Sequence, residues 1–231
     1  MIVRWLKFSG LSLVMAAVLS VGIVAGLADE SEKPDKKESS DTTKKEKKSK
    51  IKPYDEIITE DSETKIGLFR IHRIEDDLYY EIPTSTLSVD MLWVTQIAET
   101  TAGNSYAGMP AGNRVVRWEK RDDRILLRDV RYSIRAETND PIASAVKASN
   151  LAPIIKVFDV EAYGKDQAPV IKVTSLFTKE IPEFSAKRSL NAGNLDSDRS
   201  FIEIVKAFPS NIEVKVLASF APKSGGDKSD G

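Results

Sequence analysis

From Gly67 to Phe220 the apolar residues recur with a period of two, broken by clusters of turn-forming residues. That alternation is the pattern of strands with one face buried, and it constrains the fold more than any other feature. Gly67-Leu68-Phe69-Arg70-Ile71-His72-Arg73-Ile74 alternates, Asp76-Asp77 marks a turn, and Leu78 to Pro83 reads as a returning strand stopped by proline. The pair predicts a hairpin. Leu92 to Ile97 is a third strand, followed by a Gly/Asn/Pro-rich loop from Gly103 to Asn113. Val115 to Lys120, the turn Arg121-Asp122-Asp123-Arg124, and Ile125 to Tyr132 predict a second hairpin, with β-branched and aromatic residues on both arms. Ile154–Tyr163, Val170–Val173 and Ile212–Phe220 complete the strands.

Helix signals are few. Asp140-Pro141 places an N-cap before a first-turn proline and opens a helix over 142–149. Ser175 to Lys179 forms at most a short turn of helix. Arg199 to Phe208 fits a helical face through Phe201, Ile204, Val205 and Phe208, and a strand through Phe201, Glu203 and Val205. The expected class is mainly β, an antiparallel sandwich or curled sheet with one or two short helices.

The ends of the chain are different material. Arg4 and Lys7 precede an apolar run from Phe8 to Val24, and Gly26-Leu27-Ala28 supplies small residues for cleavage before Asp29. Residues 1–28 therefore read as a secretory signal, which places the mature protein in the periplasm or outside the cell. The alternative is an uncleaved anchor, since about 17 apolar residues is at the short edge of a membrane span; membrane contact is expected only through this segment. Residues 29–50 hold seven acidic and eight basic residues and no aromatic or branched aliphatic side chain. They cannot bury enough apolar area to offset chain entropy and read as a disordered charged linker. Residues 223–231 (KSGGDKSDG) read as a flexible tail. A short β-hairpin domain is expected over 51–86 and a β-rich domain over 87–222, the two carrying 22 basic against 26 acidic residues. A net charge of −4 gives no reason to expect nucleic acid as a partner.

One histidine and no cysteine in 231 residues remove most catalytic chemistry. A zinc site draws on several His, Cys and carboxylate ligands, and His72 is the only imidazole. Its expected role is a cross-strand surface residue facing Tyr or acidic neighbours. Asn194-Leu195-Asp196-Ser197-Asp198 spaces oxygen ligands alternately but lacks the glycine turn and distal Glu of a calcium loop, and reads as a loop and N-cap ahead of Arg199. Glu81, Glu119, Asp129, Asp159 and Glu161 could supply a general acid and base, but solvent-facing strand positions account for them. Tyr79, Tyr80, Trp93 and Trp118 could form a stacking platform; core or cross-strand packing is the commoner role. Gly103 to Gly112 has no Lys-Ser/Thr pair and no following helix, so it is a flexible loop rather than a phosphate cradle. No catalytic, cofactor-binding or metal-binding residue is assigned.

A series of short signatures follows in order: Lys52-Pro53-Tyr54-Asp55-Glu56-Ile57-Ile58, Gly67-Leu68-Phe69, Tyr79-Tyr80-Glu81-Ile82-Pro83, Tyr106-Ala107-Gly108, Arg114-Val115-Val116-Arg117-Trp118, Arg124-Ile125-Leu126-Leu127-Arg128, Ser149-Asn150-Leu151-Ala152-Pro153-Ile154, Val173-Thr174-Ser175-Leu176-Phe177, Asp198-Arg199-Ser200-Phe201-Ile202-Glu203, and Ala207-Phe208-Pro209-Ser210-Asn211. In order and spacing they resemble the N-terminal region of large secreted bacterial zinc-dependent metalloproteases of the met-zincin type, in which two uncharacterised domains precede the peptidase. The resemblance implies a non-catalytic accessory or pro-region whose partner is a peptidase domain of the same or a neighbouring polypeptide. It implies zinc only in that missing domain, because the family's HExxHxxG helix has no counterpart in this sequence. It also implies an N-terminal fragment or a split gene product. The alternative is a stand-alone periplasmic binding module using the aromatic strands or the Gly103–Gly112 loop.

Overall fold

The computed structural model describes residues 1–7, 51–101, 106–132, 141–142, 145–146 and 151–223, with backbone only for 2–7. The linker over 29–50, most of the signal, most of the 142–149 helix and residues 224–231 lie outside the described residues.

The chain is mostly β, 51% strand, with two short helices set out among the described residues. The strands are β1 (Ile2–Lys7), β2 (Glu63–Ile66), β3 (Arg70–Ile74), β4 (Asp77–Glu81), β5 (Asp90–Ile97), β6 (Met109–Arg121), β7 (Arg124–Val130), β8 (Ile154–Tyr163), β9 (Pro169–Lys172), β10 (Leu195–Ala207) and β11 (Asn211–Phe220). The helices are α1 (Tyr54–Ile57) and α2 (Thr174–Thr178). Neighbours pair antiparallel in the order β10-β11-β1-β5-β6-β7-β8-β9-β4-β3-β2.

The two predicted hairpins form, with His72 opposite Tyr79 and Trp118 opposite Leu127. β8 occupies the predicted span. It is the hinge of the sheet: its first half pairs with β7 and its second half with β9, with register breaks on both sides. Such breaks raise local twist and let a sheet turn over on itself. The stretch from Met109 to Asn113 is ladder rather than loop, because β6 runs thirteen residues and holds β5 along its whole length. The ambiguous 199–208 stretch is strand. Pairing with β11 from Phe201 to Ala207 decides between the two periods; Asp196, expected as loop and N-cap, also pairs, with Ser219, while 197–200 lie in a register break.

The curl brings the two outer strands together without closing a barrel. Lys65 donates to the Val205 carbonyl at 2.9 Å, and Arg73 donates to the Ile202 and Glu203 carbonyls at 2.9 and 3.2 Å. Side-chain cations thus satisfy edge carbonyls that no strand reaches. Just beyond β2, the Leu68 N–H donates to the Phe208 carbonyl at 2.7 Å. The approach is possible because residue 67 is glycine: a Cβ there would lie 2.6 Å from Phe208 backbone atoms.

Inside the curl lies one core fed by nearly every strand. Phe69, Tyr80, Trp118 and Phe158 meet edge-on or tilted, with centroids 5.6 to 6.5 Å apart. Trp93 stacks on Phe184 at 3.8 Å and on Phe177 at 6.0 Å. Phe177 belongs to α2 and Phe184 to the connection after it, so that segment covers Trp93. A smaller cluster lies on the other face, where Ile58 packs with Ala162 and Val170.

Replacing Gly67 with Ala is expected to lower stability by about 1–3 kcal/mol, the usual cost of overpacking. Urea unfolding checks this; an unchanged midpoint would show that the Phe208 approach does not hold the seam.

Candidate functional site

His72 is buried, 1% exposed, and not the surface residue expected from its strand. It stands on the face opposite the buried Ile71, where alternation predicts solvent. α1 covers that face: the Lys52 N–H donates to the Glu161 carbonyl on β8 at 2.8 Å and seats the segment. The expected neighbours, a tyrosine and an acid, are present. His72 Nε2 lies 3.2 Å from Glu81 Oε2, and Tyr54 donates its hydroxyl to the same oxygen at 3.0 Å. Thr64 Oγ1 is 2.8 Å from His72 Nδ1. A neutral ring with its proton on Nε2 satisfies both contacts, donating to Glu81 and accepting from Thr64. Arg70 adds its charge 3.8 Å from the carboxylate.

Burial is the largest influence on His72 and holds its pKa below the ordinary 6.5, against the opposing pull of Glu81. Tyr54 is pushed up, first by burial and then by Glu81. A tyrosine held protonated and an imidazole with both nitrogens engaged are poorly placed for nucleophilic or base chemistry. What the group does is tie α1, β2, β3 and β4 together. Gly164 makes room for it, since a Cβ there would lie 2.4 Å from Glu81 Oε1.

The other candidates are placed as follows. Glu81 and Asp129 are buried rather than solvent-facing. Asp129 accepts from Arg114 at 3.0 Å and from Arg131 at 3.1 Å. Glu119 accepts from Arg128 at 2.5 Å. Asp159 is exposed, 3.4 Å from Arg124, and Glu161 is half-buried. Each of Glu81, Glu119, Asp129 and Asp159 is matched to a basic group on a neighbouring strand or turn. Tyr80, Trp93 and Trp118 are core residues, and Tyr79 packs against the small cluster beneath α1. The expected core role therefore describes these aromatics, and the platform does not form. Asp196 accepts from Arg199 at 2.8 Å and from the Asp198 N–H at 3.1 Å; the Arg199 hydrogen bond holds its carboxyl below the usual range. Among the described residues, no group of three or more His, Cys, Asp or Glu side chains could hold a metal ion.

Sequence reasoning did not find the open cleft of about 660 Å³ bordered by Gly112, Asn113, Arg114, Glu183, Arg188 and Lys223. Its walls come from β6 and from the connection after α2, segments some seventy residues apart. Arg114 crosses its floor, donating to the Glu183 carbonyl at 2.6 Å and to Asp129. The only sequence signal was the glycine-rich approach to β6.

The fold is an antiparallel β-domain whose buried carboxylates are paired within it. Residues 51–100 match the family described as domain of unknown function DUF5118, and residues 108–230 match domain of unknown function DUF5117. The second match spans more than half of the chain, and the chain belongs to the DUF5117 family. No curated protein and no solved structure matches. The two matched stretches share one compact unit: β4 of the first pairs with β9 of the second, and β5 with β6.

His72 gives a pH dependence whose sign follows from its lowered pKa. The unfolded chain, with an imidazole near 6.5, binds a proton more readily than the folded one. The His72 contribution is complete above about pH 6.5 and is lost as the pH falls, by at most about 1.4 kcal/mol per pH unit, until the folded-state pKa is passed. As the sole histidine, its C2 proton gives one resolved NMR titration, expected below 6.5; a midpoint above 6.5 would contradict the burial argument. Glu81→Ala, which strips Nε2 of its acceptor, is expected to cost about 1–3 kcal/mol in urea unfolding.

Proposed function

We propose that this chain is a non-catalytic accessory or pro-region of an exported zinc-dependent metalloprotease, supporting the folding or docking of a peptidase domain outside this sequence. The observation that carries the reading is the engagement of His72. The one imidazole in the chain is buried with both nitrogens bonded to Thr64 and Glu81, so the group best suited to proton transfer or metal binding is part of the frame. The ordered signatures that resemble the metalloprotease N-terminal region fall within or beside the two matched stretches, and most lie on strands of one core. Zinc belongs, on this reading, to the peptidase domain. The charged start, apolar run and small-residue site of residues 1–28 supply the export signal.

A second reading has one observation in its favour. The cleft beside Gly112 and Arg114 could hold a polar ligand, which suits a stand-alone periplasmic binding module. Burial of Trp93 and Trp118 confines that reading to the cleft.

The purified chain is expected to cleave no unfolded protein substrate and to carry only substoichiometric zinc by elemental analysis. Intact mass of the native exported product is expected to show a longer polypeptide that includes a peptidase domain. Chelator-sensitive proteolysis by the chain alone would overturn the accessory role. A native product ending at Gly231, without a peptidase partner, would favour the cleft-binding module.

A further inference from the structure

The sheet has one strand that the rest of the chain does not anchor by a short connection. β1 lies between β5 and β11 and pairs antiparallel with both: Val3 opposite Thr95 and Val214, Trp5 opposite Trp93 and Ile212. The Met1 amine donates to the Val216 carbonyl, and the Val216 N–H donates to the Met1 carbonyl, both at 2.9 Å. β10 and β11, β6 and β7, and β5 and β6 are joined by three, two and eleven residues, whereas 55 residues separate β1 from the next strand. β5 and β11 run parallel to each other with one strand between them. Two ladder spacings, about 10 Å, separate such strands, so they cannot pair directly without moving the sheet.

On the signal reading of residues 1–28, the present occupant is one that export removes. Residues 2–7 form the charged start of the signal-type segment, and the Lys7 position pairs with fully buried Met91, where a core strand ordinarily carries an apolar residue. The outer edges of the sheet are already closed on each other by Lys65, Arg73 and the Leu68–Phe208 bond, so the place left for an added strand is this interior slot. Beside the slot, the outward surface of β10 and β11 exposes Phe201 and Leu217, which are directly paired. A partner contributing a strand there would find apolar surface next to it.

We propose that the slot between β5 and β11 is a strand-acceptor site, held by Ile2–Lys7 in the unprocessed chain and taken after export by an extended segment of the peptidase domain. The proposal rests on the accessory-region reading for the identity of the donor. The slot defines the donor's chemistry. It runs antiparallel to both neighbours over about six residues, with apolar side chains at the two alternate positions that face Trp93 and Ile212, and Thr95 and Val214. Main-chain hydrogen bonds to two strands give affinity, and the alternating pockets give register.

The test uses the full chain with a protease site inserted in residues 29–50. After cutting, a fluorescein-labelled peptide of sequence MIVRWLK is added and polarisation is followed to equilibrium. Saturable 1:1 uptake, or retention of the cut segment through gel filtration followed by its slow exchange for label, supports the slot. Replacing Arg4 of the peptide with proline, which removes a ladder donor, is expected to weaken uptake at least about tenfold. No saturable uptake, or equal uptake of the proline peptide, overturns the slot. The donor is read separately, with a photo-crosslinking residue at exposed Gln96 in the native exported protein. A crosslink into a peptidase domain supports the assignment. A crosslink only to another polypeptide overturns the donor while the peptide result stands. A native product without any peptidase domain overturns the accessory reading itself.

Discussion

The fold depends on one steric allowance, the close pass of the chain at Gly67 under the Phe208 backbone. A long antiparallel sheet with one apolar face must cover that face, and this one covers it by curling until its outer strands meet. The seam is not a ladder. Its bonds come from Lys65, Arg73 and a single backbone N–H, so the barrel stays open while its edge carbonyls are satisfied. The aromatic core from Phe69 to Trp118 lies inside that curl, and the burial of every tryptophan in the described core follows from it.

A second consequence is the fate of the ionisable groups. Curling leaves an outer face that solvent would reach, yet α1 seals part of it and, through Tyr54, closes over His72 and Glu81. Burying a charge is costly unless it is paired and hydrogen-bonded, and Glu81 and Asp129 meet both conditions with donors from neighbouring elements. These groups specify which element lies on which. The surface left over includes the polar cleft beside Arg114 and the exposed pair Phe201 and Leu217.

Strand identity was largely legible in the sequence, because period-two patterning is a local signal. Ile154–Tyr163 and the hairpin about Arg121 to Arg124 follow directly from it. His72 shows where that logic stops. Its place opposite Ile71 correctly puts it on the outer face, but the four residues of α1 that cover this face carry no helical period long enough to read. Asp196 to Asp198 are a mixed case: Asp196 pairs with Ser219 of β11, while the turn signal survives as a register break over 197–200 in which Asp196 accepts the Asp198 N–H. The curl, the strand order and the cleft arise from contacts between residues far apart in the chain, which a single sequence does not display.

The central claim is that both family-matched stretches form one cooperative unit around one core. Native-state hydrogen exchange, read by mass spectrometry on peptides covering β3 and β4 and on peptides covering β6 and β7, tests it most directly. One unit predicts that the slowest amides of both stretches open with the same free energy and the same urea dependence. Earlier, independent opening of the 63–81 hairpins while β6 and β7 stay protected would contradict it, and would make the first stretch a separate module resting on the second.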